Sequence, residues 1–163
     1  MATSTLIQYL ETERYGSLPG AGVEAVGPES MNRRQIETFI AASAITAGQT
    51  VVLNILKTAD GDKAIHVLPS NTGSDDTTCF VGVAITDAGA AGDKVDVCVR
   101  GVCEATVLTA AAKGKLLYIT STAGALDDAA GSAPAADSVP VAVALETRGG
   151  GTGPITVFVR GTF

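Results

Sequence analysis

From residue 45 onward the apolar residues of this chain recur at every second position in short runs, the spacing of half-buried β-strands. Val95, Val97 and Val99 alternate with Asp96, Cys98 and Arg100, and Ile155, Val157 and Val159 repeat the alternation near the end of the chain. The pattern predicts strands over residues 51–56 (VVLNIL), 64–68 (AIHVL), 80–85, 94–99, 102–108 (VCEATVL), 116–119 (LLYI), 139–145 and 155–159. A tight turn at Asp60-Gly61-Asp62 should join the first two. Residues 69–78 read as a polar loop, and 122–137 as a long, mobile loop of Ala, Gly, Ser and Asp. Short strands without long helices between them predict an all-β fold, an antiparallel sandwich or barrel.

The strands come in two matched sets. Residues 81–101 read VGVAITDAGAAGDKVDVCVRG and residues 141–161 read VAVALETRGGGTGPITVFVRG, aligned without a gap. Val81 matches Val141, Val83 matches Val143, Gly89 matches Gly149, and Val99-Arg100-Gly101 matches Val159-Arg160-Gly161. A looser parallel sets Gly48 and the strand after it against Gly114 and its strand. The expected halves are residues 45–101 and 102–161, two pseudo-repeated strand–loop–strand units in a β domain spanning 45–163. Matched residues of this kind are scaffold, so Val83, Val97, Val143 and Val157 should be buried. The short, apolar strands would leave edges that need cover, which favours self-association.

Residues 1–44 differ. The stretch 16–30, GSLPGAGVEAVGPES, is rich in Gly and Pro and has no sustained period. Residues 5–14 can form a short helix. In residues 32–42, NRRQIETFIAA, Ile36, Phe39 and Ile40 suit a helical turn, and Ile36, Thr38 and Ile40 equally suit one face of a strand. The whole is read as an extended N-terminal arm. It should be mobile in free protein and gain order on a partner surface or a neighbouring subunit through Leu6, Ile7, Tyr9 and Leu10, with Arg33 and Arg34 as a small basic spot.

Composition narrows the function. The 163 residues carry 11 Lys and Arg against 17 Asp and Glu, a net charge of −6, which disfavours nucleic acid and anionic membrane surfaces as partners. No apolar run is long enough to cross a bilayer, and the first residues lack the pattern of a signal peptide, so synthesis in a cytoplasm is expected. The three cysteines, Cys79, Cys98 and Cys103, have no zinc-site spacing and read as buried small hydrophobes. With one histidine, His66, and no GxSxG, P-loop or HExxH, an enzyme is not expected, nor a cofactor, a metal or a small-molecule substrate. The run 149–153, GGGTG, precedes a strand rather than a helix, so it is a flexible hairpin connection and not a phosphate cradle. Asp75-Asp76, Asp127-Asp128 and Asp60–Asp62 read as turn residues, not calcium ligands. Arg100 and Arg160 each end a matched strand before a glycine; each is either an exposed strand-end charge or a contact at a subunit interface.

TAGQTVVLNI (46–55), FVGVAITDAGAAGDKVDVCVRG (80–101), KGKLLYIT (113–120) and VPVAVALETRGGGTGPITVFVRG (139–161) together resemble the capsid decoration proteins of tailed bacteriophages, also called cement or head-stabilising proteins. The resemblance implies an all-β structural protein on the outside of an assembled head, with the major capsid protein and itself as partners and a homotrimer favoured. It implies no catalytic residues and a place on the capsid exterior of the virion. Two alternatives stay open: a tail or fibre-base domain of a phage particle, and a small ligand-binding β module with the two hairpins framing a pocket.

Overall fold

A computed structural model of the chain describes residues 34–57, 60–71, 79–128 and 139–161. The chain divides into two units, Met1–Arg34 and Gln35–Phe163, and the described residues other than Arg34 belong to the second. Leu6, Ile7, Tyr9, Leu10, Arg33 and the pair Asp75-Asp76 lie outside the described residues.

The second unit holds strands β1 (Gln35–Ala41), β2 (Thr50–Leu53), β3 (His66–Pro69), β4 (Phe80–Ala84), β5 (Lys94–Val107), β6 (Leu116–Ile119), β7 (Leu126–Asp128), β8 (Ala142–Ala144) and β9 (Gly153–Val159), with one short helix, α1 (Asp60–Ile65), before β3. Hydrogen bonding runs β1-β3-β2-β4-β5 and returns from β5 to β1. It then runs β5-β7-β6-β8-β9 and returns from β9 to β5. The fold is therefore two closed barrels that share one long strand. Closure removes the unpaired edges that the short strands would otherwise leave, so edge cover is no motive for self-association.

The duplication is visible bond by bond. Gly48 N–H donates to Ala84 O at 2.8 Å, and Gly114 N–H donates to Ala144 O at 2.8 Å. Ile45 bridges Ala88 as Ala111 bridges Arg148. The side chains that hold the turns differ while their work is kept. Ala47 N–H meets Asp87 Oδ1 at 2.7 Å and Lys113 N–H meets Thr147 Oγ1 at 3.1 Å. Asp96 N–H meets Thr86 Oγ1 at 2.9 Å and Thr156 N–H meets Glu146 Oε1 at 2.6 Å. Gly48 and Gly114 share a left-handed turn, with φ of 87° and 84°, that a side chain at either position would strain.

Pairing also shows where each copy starts. β1 runs antiparallel to β5 and parallel to β3, with Ala41 beside Val67. The second half of β5 runs antiparallel to β9 and parallel to β7, with Val107 beside Leu126. β1 thus stands to the first barrel as residues 101–107 stand to the second. Residues 35–41, expected in the arm, are a strand of the β body. Their apolar spacing fitted helix and strand equally, and partners distant in sequence decide it.

Other boundaries move for local reasons. β5 is continuous through Arg100 and Gly101, where two strands were expected, and Gly101 takes φ of 107° as the strand passes from one barrel to the other. The Asp60-Gly61-Asp62 turn and the start of the following strand, Ala64 and Ile65, form α1 instead. The loop expected over residues 122–137 contains β7, whose Leu126, Asp127 and Asp128 are all buried. Asp127 accepts a hydrogen bond from Thr109 Oγ1 at 2.5 Å, so this carboxylate is a satisfied interior group rather than a turn residue.

Candidate interaction surface

The core falls into two clusters. Ala41, Ile45, Val51, Val67, Val81, Val95 and Val97 fill the first barrel. The larger cluster joins the interior of the second barrel, including Val107, Leu117, Leu126, Val141, Ile155 and Val157, to Val52, Phe80, Val83 and Cys98 of β2, β4 and β5. Those four belong to the outer face of the first barrel, and the second barrel covers them. Polar contacts close the same joint. Thr50 N–H donates to Gly124 O at 2.9 Å, Gly124 N–H to Ser70 O at 2.8 Å, and Thr106 N–H to Gly48 O at 2.8 Å. The buried hydroxyls of Thr50 and Ser70 satisfy each other at 2.5 Å.

Among the described residues nothing covers the matching outer face of the second barrel. Leu116 pairs with Val143, Val143 with Phe158, and Phe158 with Val102, which aligns four apolar side chains across β6, β8, β9 and β5. Leu116 is 41% exposed and neighbouring Val139 52%, while Val143, Phe158, Tyr118 and Pro140 are half-buried. In the first barrel the equivalent row is Thr50, Val83, Cys98 and Ile36. There Thr50, Val83 and Cys98 have no exposed surface. Val83, Val97 and Val157 are buried as expected, but Val143 is only half-buried, because nothing in the described chain plays for it the part that the second barrel plays for Val83.

Arg100 and Arg160 are both exposed. Gly101 pairs with Val159, and a Cβ on Gly161 would lie 3.5 Å from Val99 O and 3.6 Å from Arg100 Cβ, so the two Val-Arg-Gly segments run side by side. Sequence matching identified both arginines; their adjacency follows from the pairing of β5 with β9. Arg34 is exposed and immediately precedes β1. An open cavity of about 340 Å³ ends the first barrel, lined by Gln35, Glu37, Phe39, Leu53, Val99 and Arg100 among others. Within the glycine run 149–153 and just after it, Arg148 donates to the carbonyls of Gly151 and Thr152 at 3.0 Å and of Pro154 at 3.3 Å. Among the described residues no group of three His, Cys, Asp or Glu is placed to hold a metal, and no helix is long and apolar enough to cross a membrane.

Residues 31–161 match the phage cement protein family. The chain belongs to that family. This phage cement protein is thus a structural protein of the phage particle, and the virion is where it acts. No curated protein matches it significantly. Among solved structures it is similar to the N base of the head fibre gp8.5 of bacteriophage phi29, with a TM-score of 0.51 and 16% sequence identity over 78% of this chain and 94% of the other. At that identity the likeness concerns the fold.

Proposed function

We propose that this cement protein binds the outer surface of an assembled tailed-phage head and stabilises it without covalent chemistry. The observation that carries the reading is the family match along residues 31–161. A shell protein needs many shallow contacts, and copy number and oligomer valency multiply weak ones into firm attachment. The partners are the major capsid protein and further copies of the chain, with a homotrimer as the favoured assembly. Synthesis takes place in the host cytoplasm and the capsid exterior is the destination. No catalytic step is part of this role.

The segment before β1 serves as the arm, with Leu6, Ile7, Tyr9 and Leu10 as its apolar contacts and Arg33 and Arg34 near its end. Arg100 and Arg160 serve at a subunit or capsid contact. Purified protein mixed with undecorated heads should co-sediment with them, and protein left wholly in the supernatant would overturn the proposal. Deleting residues 2–30 should leave the β body folded and weaken that co-sedimentation. Unchanged binding would remove the arm from the mechanism.

The likeness to a head-fibre base favours a second reading, in which the two barrels seat a longer appendage on the head. Electron micrographs of decorated heads separate the two: a cement lies flat on the shell between capsid subunits, and a base carries a projecting fibre.

A further inference from the structure

The interiors of the two barrels differ at one level. Gln35, Glu37 and Phe39 lie on the face of β1 that also carries buried Ala41, so they line the inside of the first barrel. Strand pairing gives their counterparts in the second barrel as Gly101, Cys103 and Ala105, and all three are buried. Leu53 and Val99 are half-buried, whereas their counterparts Ile119 and Val159 belong to the core. At the level where the second barrel is core, the first keeps the cavity of about 340 Å³.

Inward positions of a barrel strand are apolar as a rule, and departures from the pattern concentrate at functional sites. A barrel end that merely met water would be polar throughout. Here Phe39, Leu53, Val81 and Val99 form an apolar floor, and exposed Gln35, Glu37 and Arg100 form the rim. Gln35 Nε2 donates to Glu37 Oε1 at 2.7 Å, so those two groups engage each other. Arg100 has no side-chain hydrogen bond or ion pair among the described residues. An apolar hollow in the mouth of a β-barrel with a few polar groups at its rim is a common form of binding site, and this one is at the low end of the roughly 300–1,000 Å³ of such sites. The planar fork of a guanidinium suits a carboxylate. We infer that this cavity takes an apolar side chain of a neighbouring polypeptide of the particle, presented with a carboxylate beside it that pairs with Arg100. Glu37 on the same rim disfavours a second negative charge. Arg160, the matched arginine, adjoins buried Val141 and Val159 instead, so the site belongs to the first copy alone. The inference rests on the proposed role at the head surface and assigns one of its contacts.

The test is solution NMR of the full chain titrated with N-acetyl-leucine, which has the side chain and the carboxylate, and with its amide, which lacks the carboxylate. The acid should shift the backbone amides of Phe39, Leu53, Val81 and Val99 and bind about fivefold more tightly than the amide. Arg100→Ala should erase that preference, and Ala64→Trp, at an exposed position lining the cavity, should block both compounds. Both variants should also co-sediment less with undecorated heads than wild-type protein does. If neither compound shifts those amides at its solubility limit, as when residues of the chain itself fill the cavity, the inference is overturned. Equal binding of acid and amide overturns it too. If the acid binds but Ala64→Trp co-sediments as wild type does, the occupant is a free small acid and the polypeptide contact is overturned. In each of these cases co-sedimentation of wild-type protein leaves the head-binding role standing, and its absence overturns both. Arg100→Gln and Ala64→Phe repeat the experiment should either first variant not fold.

Discussion

In the first barrel Thr50, Val83 and Cys98 lie across the outer face with no exposed surface, whereas in the second barrel Leu116, Val143 and Phe158 occupy the same places and stand partly in solvent. Local sequence does not separate the two. Val83 and Val143 both sit in a V-x-V-A context, each on a strand between equivalent partners, β2 and β5 for one and β6 and β9 for the other. What differs is the neighbour, because the second barrel covers one face and no described residue covers the other. Alternation therefore reports which side of a strand is apolar, but it does not report whether that side meets a core, a second domain or another molecule.

The largest effect expected from breaking the equivalence is at the paired positions Gly82 and Ala142, which face Val51 and Leu117 in the two registers. A Cβ on Gly82 would lie 2.2 Å from Cys98 O and 2.8 Å from Val97 Cγ1, whereas the second barrel already accommodates the methyl of Ala142. Gly82→Ala should destabilise by about 3 kcal/mol or more, because backbone and not a flexible tip must move. Ala142→Gly should cost only about 1 kcal/mol. Chemical denaturation measures both, and equal costs would show that the first barrel makes room for a methyl at position 82 as the second does at Ala142.

The next comparison removes the same two methyls from each face. Val83→Ala should cost about 2 kcal/mol, through lost burial and the cavity left behind. Val143→Ala should cost under about 1 kcal/mol in dilute protein, since its surroundings are already partly water. A Val143→Ala penalty as large as that at Val83 would mean that its face is covered in solution.

A smaller difference is expected at the two hairpin loops. Arg148 ties three carbonyls of its glycine-rich loop, while in the first barrel Asp93 Oδ2 accepts only Ala90 N–H, at 2.9 Å, among the side-chain bonds across that turn. Arg148→Ala should lose about 1 kcal/mol and speed amide exchange over residues 149–153. Asp93→Ala should lose less, and exchange rates that do not move in the Arg148 variant would mean the loop is held by its backbone alone.

Smallest is the exchange of acceptors at Thr86 and Glu146, each of which receives a backbone N–H from the strand opposite. Alanine at either place should cost about 0.5–1 kcal/mol, slightly more at Glu146 because its acceptor is charged. Only that small excess should weaken with added salt, as read in denaturation midpoints.

By itself the sequence determined the β class, the duplication and the scaffold positions of each copy. Those features are local: period-two alternation, turn glycines such as Gly48 and Gly114, and matched valines at a fixed offset. It also carried enough of the family pattern to point to a phage cement protein. Pairing between distant strands decided the rest. Ile36 and Ile40 fitted helix and strand equally until β3 and β5 took them as partners. β7 was hidden because it has only three residues, two of them aspartates, and one of these is satisfied by a threonine from another loop. The closing of each barrel, and the choice of which outer face is covered, arise from contacts between segments far apart in the chain. Alternation along one strand cannot encode such contacts, because it records which residues avoid water and not what displaces the water from them.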